Sequence, residues 1–136
     1  MSRIKQKKMK TRDQFIINFR GEMIGTINNN SSPEELFQNQ TLRPILKLQN
    51  DLFIDVFKNY IIQSKCDFSN FKTEKKLQFI ENSIQKDIKF RNILKGIVIG
   101  LFSIEEYNIF SQNSSSINKR MFTMLVERLK SQIQLF

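Results

Sequence analysis

The chain has 136 residues, 40% of them hydrophobic, with thirteen phenylalanines but only four glycines and two prolines. That length and apolar content suit one compact domain plus a tail, and exclude a linker or a turn-rich all-β fold. Lysine and arginine outnumber aspartate and glutamate by 22 to 13, giving a net charge of +9 with no histidine and one cysteine.

The surplus charge sits mostly at the start. Arg3, Lys5, Lys7, Lys8, Lys10 and Arg12 fall within the first twelve residues, which contain no acid, leaving a surplus of only three beyond residue 12. Residues 1–13 are therefore expected to form a basic arm whose composition leaves it free to flex. The apolar run after it, Phe15 to Phe19, is shorter than the roughly 7–15 residues of a secretory core. Residues 14–31 read as an irregular segment or a short helix, followed by a helical domain over 32–136.

Ser32, Pro33, Glu34 and Glu35 mark a helix start: a capping serine, proline at the first helical position and acids in the first turn. Thr41 offers a second cap with Pro44 in the turn that follows. From there Leu42, Ile45, Leu46, Leu52, Phe53, Val56, Phe57, Tyr60 and Ile61 share one face of a helix running to about Ser64. Thr73 with Glu74 opens the next helix, with a stripe of Leu77, Ile80, Ile84 and Ile88. The following stripe (Phe90, Ile93, Leu94, Ile97, Val98, Leu101) is rotated by more than a third of a turn, so a break is expected near Lys86–Asp87, with Asp87 as cap. Ser103 and Glu106 have capping-box spacing, and a helix from there ends near Gln112. After a loop at Asn113–Ser116, with a serine as cap, a last helix spans about 117–134. The expected architecture is all-α, a compact bundle of five or six helices.

The absence of histidine removes Ser-His-Asp and Cys-His nucleophile pairs and histidine zinc sites, and a single cysteine removes thiolate zinc and dithiol redox motifs. No cofactor or catalytic residue is expected, and an all-carboxylate metal enzyme is the one remaining catalytic route. Glu34/Glu35 and Glu105/Glu106 read as complements to helix dipoles, because neighbours on a helix diverge by about 100° and do not converge on a substrate. Cys66, beside Asp67 at a helix C-terminus, reads as a semi-buried residue and not a nucleophile. Gly96 and Gly100 suggest a close approach between two packed helices. The longest later apolar run, Ile97 to Phe102, is too short to span a bilayer, and no membrane partner is expected. With one cysteine and no leader pattern, the chain reads as cytoplasmic.

The stretches Phe37-Gln38-Asn39-Gln40-Thr41-Leu42-Arg43-Pro44-Ile45-Leu46-Lys47, Lys95-Gly96-Ile97-Val98-Ile99-Gly100 and Glu127 to Phe136 resemble a group of small all-helical bacterial proteins with no characterised activity, over most of the chain beyond the arm. Some of that group carry a glyoxalase label. Glyoxalase I enzymes use βαβββ units and bind metal through histidine and glutamate, so the resemblance implies no catalytic residue here.

Positive charge is the remaining functional signal. Lys75, Lys86 and Lys89 project opposite the Leu77 stripe, while Lys119 and Arg120 border the polar face of the last helix. With the arm, these five are the expected contacts for a nucleic-acid backbone, most naturally RNA or the ribosome, in a protein that is not an enzyme. No base-reading motif accompanies them, so backbone and shape would be read. The alternative is a protein–protein module or homo-oligomer built on its phenylalanine-rich stripes.

Overall fold

The structure, a computed structural model, describes residues 10–26, 28 and 30–136. Among them the chain forms eight α-helices and no strand: α1 (Thr11–Arg20), α2 (Pro33–Phe37), α3 (Arg43–Leu48), α4 (Asn50–Ser64), α5 (Thr73–Lys86), α6 (Ile88–Ile99), α7 (Ile104–Gln112) and α8 (Ser114–Ser131). A π-turn, Gln38–Leu42, joins α2 to α3, and 3-10 turns lie at Phe68–Asn70 and Ile133–Leu135. The fold is all-α, and no helix among the described residues is long and apolar enough to cross a membrane.

Three expected helix boundaries are formed by local chemistry. At Ser32 and Ser103 the serine hydroxyl accepts the backbone N–H of Glu35 and Glu106, and each glutamate accepts the serine N–H in return. At Asp87 the carboxylate accepts Phe90 N–H at 3.2 Å, capping α6 where α5 ends. Its other oxygen accepts the Tyr60 hydroxyl at 2.8 Å, fixing the α5–α6 bend against α4. Burial and then this hydrogen bond push the Tyr60 phenol up to about 12, while the bonds from Phe90 and Tyr60 hold Asp87 below the usual carboxylate range.

Helix α8 carries the densest part of the core, with Ile117, Met121, Phe122, Leu125, Val126 and Leu129 all buried. Phe57 is fully buried at the centre of an aromatic cluster. Tyr60, Phe68, Phe79, Phe90 and Phe136 surround it with ring centroids 4.8–6.2 Å away.

Several boundaries differ from the sequence expectation. Thr41 is not a cap: it is buried in the π-turn, where its hydroxyl donates to Glu106 at 2.7 Å. The helix expected from Thr41 to Ser64 is broken at Gln49 (φ −89°, ψ 6°), and Leu52 on α4 is exposed. The residue preceding α5 is Lys72, with no side-chain cap, and Thr73 is already helical. Ile88 and Ile93 face solvent, because the break at Asp87 turns them out of the packed side. The serine loop before α8 is helical from Ser114, with Asn113 before it and no side-chain cap; α8 ends at Ser131. Gly96 meets nothing within 4 Å and Gly100 faces only carbonyls of its own helix, so neither marks a close helix approach. Cys66 is half-buried and accepts from the Ser64 hydroxyl at 3.2 Å.

The largest correction concerns the arm. Arg3, Lys5, Lys7 and Lys8 lie outside the described residues, and Lys10 is exposed just before α1. Arg12, however, lies on α1, which begins within the expected arm and runs on to Arg20, the short helix being one of the two forms expected for the start of residues 14–31. Its guanidinium donates to Phe102 O at 2.9 Å and Gly100 O at 3.1 Å. Arg20, two turns on, donates to Leu101 O at 3.0 Å. The two arginines thereby satisfy the carbonyls of residues 100–102, in the turn that joins α6 to α7. The Asp13 carboxylate accepts Ile104 N–H at 3.2 Å. Arg20 also pairs with Glu106, donating through Nη2 to Oε2 at 2.9 Å, with only 5% and 14% of the two side chains exposed. Burial would raise the Glu106 carboxyl. Hydrogen bonds from Arg20, the Ser103 backbone and Thr41, with the Arg20 charge, outweigh it and hold Glu106 below its ordinary value.

Candidate nucleic-acid interface

A groove of about 1070 Å3 runs between α8 and the α2–π-turn–α3 segment. Its lining includes Arg43 and Lys47 from α3 and Lys119, Arg120 and Arg128 from α8. Among the described residues Glu34 and Glu127 are the only carboxylates that line it, so cations prevail there by five to two.

The partners of the three arginines define the site. Arg43 Nε donates to Asn39 Oδ1 at 2.8 Å, Arg120 Nη1 to Gln38 Oε1 at 2.8 Å, and Arg128 Nη1 to Asn50 Oδ1 at 3.3 Å. Every acceptor is a neutral amide. The ion pairs among the described residues are Arg12–Asp13, Arg20–Glu106 and Lys130–Glu81, and none involves a groove cation. An amide fixes the orientation of a guanidinium without cancelling its charge, so the groove keeps its positive potential for an external anion. Burial, and then the charge of Arg43, lowers the Arg128 guanidinium from its ordinary value, although an arginine keeps its proton at neutral pH. Two like charges held close without an internal counterion are relieved when an anion arrives.

The amides are themselves held. Asn50 and Gln132 exchange two side-chain hydrogen bonds, at 2.7 and 2.8 Å, which orients Asn50 Oδ1 toward Arg128. Asn39 is buried, and its Nδ2 donates to Thr26 O at 3.3 Å while its backbone carbonyl accepts Ile24 N–H at 3.0 Å. Gly25, at φ +116°, lies directly over it, and a Cβ there would come within 2.7 Å of the Asn39 amide.

The cations expected from sequence divide into separate places. Lys119 and Arg120 lie in the groove. Lys75 does not: its ammonium sits 4.2 Å over the Phe71 ring. Lys86 and Lys89 border two smaller depressions beside Tyr60 and Asp87, away from the groove lining. The helix faces therefore do not merge into one footprint. Arg43, Lys47 and Arg128 were not singled out by sequence. Their signal was the four-residue spacing of Arg43 and Lys47 and the recurrence Arg120–Met124–Arg128 on one face of α8. Among the described residues no three acids, cysteines or histidines gather where they could hold a metal ion. Comparison with protein-family models, curated proteins and solved structures returns no match.

Proposed function

We propose that this chain is a non-enzymatic nucleic-acid-associated protein that holds the sugar-phosphate backbone of structured RNA in the α3–α8 groove, with the cations of residues 3–10 as a second, sequence-distant contact. The observation that carries this reading is the trio Arg43, Arg120 and Arg128, each oriented by a neutral amide and paired with no carboxylate. Planar guanidinium groups match phosphate oxygens bidentately, and each phosphate neutralised releases a condensed counterion. The groove reads no base edge, in keeping with recognition of backbone and shape.

The test is a binding titration of a hairpin RNA across a salt series, with wild type, a Lys119→Glu/Arg120→Glu variant and a chain lacking residues 1–9. Loss of two groove cations should reduce the slope of log affinity against log salt by about 2, and deletion of the arm should reduce it independently. Binding insensitive to salt, or unchanged in the groove variant, would overturn the proposal.

A further inference from the structure

Eleven of the thirteen phenylalanines are buried or half-buried, while Phe15 and Phe19 on α1 are exposed by 70% and 59%. Their exposure is imposed by the way α1 is docked. Asp13, Ile16 and Arg20 define the inner face, held by the bonds to Leu101, Ile104 and Glu106, which leaves position 15 on the outer side of the helix and position 19 on its flank, close in direction to the half-exposed Arg12. The two rings lie almost parallel, 7° apart in plane with centroids at 6.1 Å. Beyond the end of α1, Met23 is also exposed, and Ile24 then enters the wall of the cationic groove. In sequence the same helix follows directly on the cations Arg3, Lys5, Lys7, Lys8 and Lys10.

We infer that Phe15 and Phe19 form a stacking platform for unpaired nucleobases, so that the RNA this chain takes presents a single-stranded segment to α1 while its backbone runs to the groove. This rests on the proposed function. Two observations favour bases over a protein surface. The apolar feature is small: two rings at these exposures offer roughly 250 Å2, against about 800 Å2 per partner in a standard protein interface. It also lies between cations, with Lys10 immediately before α1 and the groove that Ile24 lines after it, which suits a polyanion carrying flat apolar groups. Parallel rings present their faces in a common orientation, as successive bases of a strand require, and stacking tolerates any base.

The test compares a single-stranded RNA of about twelve nucleotides, containing 2-aminopurine, with the duplex of the same length, bound by wild type, by Phe15→Ala/Phe19→Ala and by Phe15→Tyr/Phe19→Tyr. The wild type should prefer the single strand and quench the 2-aminopurine emission. The alanine variant should bind the single strand at least about fivefold more weakly, lose the quenching and keep its duplex affinity. The tyrosine variant should restore both. Both rings are exposed, so all three proteins should melt alike. Single-strand affinity and quenching unchanged in the alanine variant overturn the inference and leave the groove reading standing. A wild-type dimer in sedimentation that the alanine variant loses also overturns it, because the rings then meet a second copy. A wild type that binds neither RNA overturns the proposed function and this inference with it.

Discussion

Replacing Glu106 with glutamine tests the anchor that ties α1 to the body. Glu106 accepts from Arg20, Thr41 and the Ser103 backbone at once, and the Arg20–Glu106 pair is almost entirely out of water. Glutamine keeps the shape and one acceptor oxygen but leaves Arg20 as a buried charge without its counterion. Removing one member of a buried pair costs about 3–5 kcal/mol, against roughly 1 kcal/mol for an exposed one. At about 3 °C per kcal/mol for a chain of this size, Glu106→Gln should lower Tm by about 10 °C. The assay is urea unfolding of wild type, Glu106→Gln, Arg20→Met and the double variant. The double variant should be appreciably more stable than the sum of the two losses predicts, because it removes the orphaned charge. A Glu106→Gln loss below about 1 kcal/mol, or strict additivity in the double variant, would refute the account of α1 as a helix held by a desolvated ion pair.

The same carboxylate contributes, with Asp87, to the acid limb of stability. The folded-state value of Glu106 is lowered, so the folded chain binds fewer protons than the unfolded one; its stabilisation is complete above the ordinary carboxylate range and is lost as pH falls through the folded value, a limb that Glu106→Gln should flatten in denaturation at stepped pH. Tyr60 is raised, so its contribution is complete below about pH 10 and is lost as pH climbs toward about 12, and Tyr60→Phe should remove that alkaline limb. Gly25→Ala places a methyl at φ +116° and 2.7 Å from the Asn39 amide; it should cost about 1–3 kcal/mol by thermal unfolding and also weaken RNA binding, since Asn39 orients Arg43, whereas an unchanged Tm would show that the 21–26 segment does not press on Asn39. Phe57→Ala should cost roughly 3–5 kcal/mol by opening a cavity among five other rings, and Phe57→Leu clearly less, both read by urea midpoint.

What the sequence reveals here divides by distance along the chain. The capping boxes at Ser32 and Ser103 and the cap at Asp87 involve residues three apart, and periodicity with side-chain chemistry is enough to find them. Arg12 and Thr41 were misread for the opposite reason. Their partners lie 65 to 90 residues away, so composition places Arg12 in a charged tail and hydroxyl chemistry makes Thr41 a cap, whereas tertiary packing uses Arg12 as a surface clamp on the turn after α6 and Thr41 as a buried donor. The groove followed the same rule. Lys119 and Arg120 were visible as part of a polar helix face, but only the packing of α8 beside α3 brings Arg43 to Arg128, and only the side-chain partners show that these charges are left uncompensated. The break at Gln49 carries no proline or glycine, so nothing in its composition signalled it.

The π-turn at Gln38–Leu42 gives the groove an unusual kind of fragility. A π-turn holds one residue more than the α-turn it replaces. Loss of a single residue between Phe37 and Arg43 would let this stretch close as ordinary α-helix, with α2 kept on nearly the same side of α3 but the side chains within the turn respaced. The five residues of the turn together set Gln38 on Arg120, Asn39 on Arg43 and Thr41 on Glu106, and four residues at α-helical spacing do not reproduce that combination of directions. The orientation of the groove arginines and the third bond to Glu106 are therefore written in the count of residues in this segment as well as in their identity, so a one-codon deletion there should be more damaging than most one-codon replacements.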